Sequence, residues 1–186
     1  MEKIALYHTG FTQIRKPDIH IGRPNADFGQ GFYLSPDREF SRRWAKLRRG
    51  QDTWLNVYEL SLDGLNVKQL SRDAAWYELI YRNRSGLAGN VEAWDVIIGP
   101  IANDTIYDTW GISTSGLLSR EQSLALLMIG PEYVQAVIRT ERAASRLRFV
   151  SARVLPEAEI LQCRELVRRE EAEFQRQFAA AIERML

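Results

Sequence analysis

Short runs of strand-forming residues follow one another along this chain with few helices between them. That restricts the fold more than any other feature, because parallel neighbours need a crossover of a dozen or more residues. Residues 3–10 ("KIALYHTG"), 31–34 ("GFYL"), 53–62 ("TWLNVYELSL"), 65–70 ("LNVKQL"), 94–100 ("WDVIIGP"), 132–140 ("EYVQAVIRT") and 149–155 ("FVSARVL") read as strands. In 53–62, Trp54, Asn56, Tyr58 and Leu60 alternate with Leu55, Val57 and Glu59, the period of two that a pleated strand imposes. The expectation is α+β with a largely antiparallel sheet rather than a doubly wound parallel fold.

Helical spacing occupies what is left. Ser35, Pro36 and Asp37 have the order of a capping hydroxyl, a first-turn proline and a first-turn acid. They predict a helix through 37–49 that buries Phe40, Trp44 and Leu47 and stops at Gly50. Residues 71–84 predict a second helix ending at Ser85-Gly86. Asp104 and Thr105 are placed to start another. Ser119 with Gln122 three residues on has capping-box spacing, and Thr140 caps a short helix over 141–149. From Pro156 onward the pattern is one long helix with Ile160, Leu161, Leu166, Val167, Phe174, Phe178, Ile182 and Leu186 as its apolar stripe. Residues 11–30 form an irregular connection, and a loop of that length inside a compact domain usually has a function. Among the tryptophans, Trp44, Trp54, Trp76 and Trp94 read as core, while Trp110 has pocket lining as a second reading.

The chain has 186 residues, 45% hydrophobic and 26% charged, and a net charge of +1. These values fit one globular domain and give no global charge argument for nucleic acid or a membrane as partner. Cys163 is the only cysteine, which excludes an internal disulfide and the multi-cysteine zinc sites. Two histidines alone do not name a metal site, so no metal is expected. The first residues hold no signal-peptide apolar region, and a cytoplasmic location is the expectation. There is no nucleophile elbow, phosphate-binding loop or dinucleotide-binding glycine pattern.

What remains is sparse. "LYHTG" ends the first strand with His8, Thr9 and Gly10. "RPNADFGQGFYLS" carries Arg23, Asp27, Phe28, Gly29, Gly31 and Tyr33 into the next strand. "IIGPIANDTIYDTWG" carries Asn103 and Asp104, and "VQAVIRTERAASRLRF" carries Gln135. Read alone, the two glycines of the second block make a turn more readily than a pocket wall. Together the four blocks resemble the bacterial family called domain of unknown function 3990, over about residues 3–150, within the ADP-ribosyltransferase superfamily of the diphtheria-toxin and poly(ADP-ribose) polymerase type.

The resemblance implies split antiparallel sheets flanked by helices over residues 1–155. Residues 156–186 form a C-terminal helix that is part of the same domain or a partner-binding extension. It implies an NAD-dependent mono-ADP-ribosyltransferase that releases nicotinamide and passes ADP-ribose to a protein or nucleic-acid acceptor. By analogy it would be a bacterial toxin held by a cognate antitoxin. His8 and the Thr9-Gly10 backbone are assigned to ribose and nicotinamide, and Tyr33 to stacking on the nicotinamide. Arg23 is assigned to the diphosphate, with Asp27, Phe28, Gly29, Gly31 and Asn103 lining the cofactor. Relatives place a glutamate where this chain has Gln135, which binds a hydroxyl but carries no charge and cannot act as a base. Another acid would then complete the site, with Asp104 preferred over Asp27, Glu132 and Glu141. The alternatives are a binding module that holds NAD or ADP-ribose without turnover, and an interaction protein that keeps only the fold.

Overall fold

The computed structural model describes residues 2–87, 91–102 and 119–185. Seven strands and five helices lie among them. The strands are β1 (Lys3–Gly10), β2 (Phe32–Leu34), β3 (Trp54–Ser61), β4 (Val67–Gln69), β5 (Val96–Pro100), β6 (Val134–Ile138) and β7 (Leu147–Val154). The helices are α1 (Arg38–Arg42), α2 (Ala74–Arg84), α3 (Arg120–Leu127), α4 (Glu141–Ala144) and α5 (Glu157–Met185). The class is α+β, as the strand-rich pattern implied.

Two sheets form. The first has the order β1-β3-β7 and is antiparallel throughout. The second has the order β2-β6-β5-β4, with antiparallel pairs except for β4 beside β5, which run parallel. The expectation of antiparallel pairing fails at that one place. The connection from β4 to β5 carries α2, which supplies the crossover a parallel pair requires. Leu6, Tyr58 and Leu60 of the first sheet meet Phe32, Leu34, Ala136 and Ile138 of the second in one buried cluster. The alternate residues Tyr33, Ile97 and Val137 point to the opposite face of the second sheet. There they pack with Phe28 and with Trp76 and Ile80 of α2.

The sheets touch along their edges. β1 and β2 are each an outermost strand, and a single bridge joins them, with Tyr7 and Ser35 exchanging both backbone bonds at 2.8 and 2.9 Å. The next rung would pair Thr9 with Tyr33, but the strands diverge there. This seam positions the site.

Three local expectations are corrected. The helix after β2 is only five residues long, and its cap is Asp37, which accepts from Glu39 and Phe40 at 2.8 and 3.1 Å. Ser35 instead donates to the Val134 carbonyl and accepts from Asp37 N–H. Beyond the helix, Ala45 is buried with Leu55, Leu155 and Ile160. Phe40 is buried as expected, but Trp44 and Leu47 are exposed. On α5, Ile160, Cys163, Phe174, Phe178 and Ala181 are buried, whereas Leu161 and Leu166 are exposed. One residue is 100° of helical turn, so Leu161 cannot share the face of Ile160. Ser119 with Gln122 and Thr140 cap α3 and α4 as their spacing implied. No helix among the described residues is long and apolar enough to cross a membrane.

Candidate functional site

His8 lies at the seam, on the same side of β1 as buried Leu6. Its Nδ1 is 2.9 Å from the Tyr33 carbonyl oxygen, which only accepts, so Nδ1 carries the proton. The imidazole thus replaces the missing rung between β1 and β2. Its ring centre is 4.8 Å from that of Phe32. Burial lowers the His8 pKa below its ordinary value of 6.5, against the opposing pull of the Tyr33 carbonyl. A neutral imidazole with Nδ1 protonated keeps Nε2 as a hydrogen-bond acceptor. A Cβ built on Gly10 would come within 3.2 Å of that nitrogen, so any side chain at position 10 would crowd it. Thr9 turns away and bonds the Ser41 hydroxyl at 3.1 Å.

The glycine-rich block is a turn locked by Tyr33. The Tyr33 hydroxyl donates to the Gly29 carbonyl at 2.7 Å and accepts from Phe28 N–H at 3.0 Å. Burial pushes its pKa far up, so it stays a neutral phenol. Gly29 has φ +79°, the left-handed conformation that favours glycine. Gly31 answers a different need, since a Cβ there would lie 2.5 Å from the Ile138 carbonyl and 2.6 Å from a Val137 methyl. Arg23 is exposed. The connecting loop is folded onto the sheets. Asn56 accepts from Ile14 N–H and donates to the Thr12 carbonyl, Tyr58 donates to Ile14, and Gln30 donates to His20 and Gly22.

Asp27 and Gln135 meet, although 108 residues separate them. Gln135 Nε2 donates to Asp27 Oδ2 at 2.9 Å, and Ala102 N–H donates to the same oxygen at 3.0 Å. Asp27 Oδ1 takes both Nε, at 2.7 Å, and a terminal nitrogen of Arg84. Asn83 donates to the Asp27 carbonyl at 2.8 Å. The Asp27, Asn83 and Gln135 side chains are buried. Ionised, Asp27 has about four acceptor positions, and these four donors to its carboxylate fill them.

The structure therefore gathers the sequence candidates into two linked groups. His8 and Tyr33 join at the seam, and Tyr33, Phe28 and Gly29 lead back along the loop to Asp27 and Gln135. Asn103 and Asp104, together with Trp110, lie outside the described residues. The other two candidate acids, Glu132 and Glu141, are exposed. No cluster of three metal-ligating side chains occurs among the described residues.

Three residues were missed from sequence. Asn83 and Arg84 read as the end of a helix, and no local signal ties them to a loop more than fifty residues away. The Arg139 guanidinium lies 3.6 Å from where a Cβ on Gly29 would sit and donates to the Val91 carbonyl, and burial lowers its pKa. Its place at the end of the apolar run "VQAVI" was the available sign. No curated protein and no solved structure matches the chain. The model of one family, described as "Protein of unknown function (DUF3990)", matches residues 4–149, which hold β1 but for Lys3, β2, the seam between them and every site residue named from the sequence, and the chain belongs to that family.

Proposed function

We propose that this protein is an NAD-dependent mono-ADP-ribosyltransferase whose donor site lies at the β1/β2 seam, with the sheets arranged as in that superfamily. The observation that carries the reading is the state of His8. Its Nδ1 proton is committed to Tyr33, and its Nε2 remains a neutral acceptor at the end of a strand, beside a glycine. That is the chemistry needed to take a hydrogen bond from a ribose hydroxyl. The Thr9-Gly10 backbone would hold the nicotinamide amide, and the Tyr33 ring would flank the nicotinamide. Arg23, exposed on the loop, remains available for the diphosphate. Cleavage of the nicotinamide–ribose bond passes through a sugar cation, and Gln135 would orient its hydroxyls without adding charge. Asp104 is the acid proposed to stabilise that cation or accept the acceptor's proton. The acceptor is a protein or nucleic acid, and the proposed setting is a cytoplasmic bacterial toxin with a cognate antitoxin.

One observation favours a second reading, a module that holds NAD or ADP-ribose without turnover. Gln135 is neutral, and Asp27, the carboxylate it touches among the described residues, has its acceptor positions filled by Arg84, Ala102 and Gln135 itself. Incubation of the full chain with NAD labelled on the adenosine side and a bacterial lysate separates the two. Label passing to protein or nucleic acid, and lost in a folded His8→Ala variant, is the expected result. NAD binding with neither transfer nor nicotinamide release would favour the module, and no binding at all would overturn both.

A further inference from the structure

We propose that Asp27 is a positioning residue for Gln135, and that its carboxylate dictates a neutral side chain at position 135. The claim rests on the donor-site reading above for its functional half and on geometry alone for its structural half.

Asp27 is held rigidly from three sides. Arg84 of α2 takes one oxygen, Ala102 N–H takes the other, and Asn83 of α2 bonds its backbone carbonyl. An ionised carboxylate has no proton to give, so the carboxamide of Gln135 meets it nitrogen first. The contact therefore fixes which end of the amide faces inward, and it leaves the carbonyl oxygen as the acceptor that Gln135 can offer elsewhere, beside the second N–H of the amide. A ribose hydroxyl needs an acceptor of that kind. Gln135 would keep the hydroxyl-binding half of a glutamate's work and give up the charged half. A glutamate at 135 would set two carboxylates about as close as the present 2.9 Å contact, and both cannot remain ionised there. Among the described residues, the other ionisable groups around this spot are Arg84, the Tyr33 phenol and, just after β6, Arg139, whose charge acts on that phenol. Arg84 is already engaged with Asp27.

Gln135→Glu and a double variant combining Asp27→Asn with Gln135→Glu test the link. Without NAD, thermal melting of Gln135→Glu is expected to fall below wild type at pH 8. The gap should narrow toward pH 5, as one carboxyl takes a proton and donates it as the amide did. In the double variant that pH dependence should shrink, because only one carboxylate remains at the contact. A Gln135→Glu protein that melts like wild type across this range would overturn the structural half. NAD affinity, read as the ratio to wild type at each pH so that His8 titration cancels, is expected to be at least tenfold weaker at pH 8 and close to wild type at pH 5. A ratio that does not change with pH would overturn the positioning role. Absence of NAD binding by wild type, with the melting result as expected, would sink the donor-site reading and with it that role, and leave the Asp27–Gln135 link standing.

Discussion

His8 sits between opposing effects. Burial disfavours the imidazolium, while the Tyr33 carbonyl favours a protonated Nδ1. Burial wins, so the folded pKa lies below 6.5. The stability tied to this neutral form is complete above about pH 6.5 and is lost as pH falls through the folded value. A His8→Gln protein is expected to lack that decline, which melting curves between pH 7 and 5 would detect. Tyr33→Phe should leave Phe28 N–H and the Gly29 carbonyl without their partner and cost about 1–3 kcal/mol in urea unfolding. Gly31→Ala should cost about 1–3 kcal/mol as well, because its Cβ has only the β6 backbone and a valine methyl to push against. The two glycines of "RPNADFGQGFYLS" thus serve different ends: Gly29 a turn, and Gly31 strand-to-strand approach. Whether the same backbone also walls a pocket depends on His8, which was legible as a strand-end histidine. Its bond to Tyr33 was not legible, since it exists only where two strands part.

Elements with strong local grammar were readable. α3 and α4 begin where a hydroxyl cap and its spacing place them, and β3 alternates as its sequence does. The start of α1 differs from the reading because "SPD" offers two caps in a row and Asp37 is the one used. The β4–α2–β5 unit was read as separate pieces because sequence shows elements and not their pairing. Its importance to the site runs through Arg84, which carries the α2 end of the Asp27 network. Arg84→Met would strip a buried carboxylate of its cation, an effect of about 3–5 kcal/mol. Hydrogen exchange should accelerate in the last turns of α2 and in residues 27–31 before it does elsewhere.

At the scale of the whole molecule, the family match ends at residue 149, but the fold does not. α5 lays Ile160 against Ala45 and Leu55, and Phe174, Phe178 and Ala181 against Leu126. Glu170 joins Arg43 and Tyr133, tying α5 to the chain just before β6. Burying Ile160, Phe174 and Phe178 contributes on the order of 5 kcal/mol, comparable to the entire net stability of a small domain. A chain ending at residue 155 is expected to lose cooperative thermal unfolding, and an unchanged melting curve would show α5 to be an appendage. The long helix was legible from its periodicity; the face it buries was not, because that depends on what it meets. The proposed donor site lies at the seam where the two sheets part, and NAD titration of the full chain by calorimetry is its test. Saturable binding that weakens at least tenfold in a folded His8→Ala protein is the expected result. Equal affinity in the two proteins, or none in wild type, would contradict it.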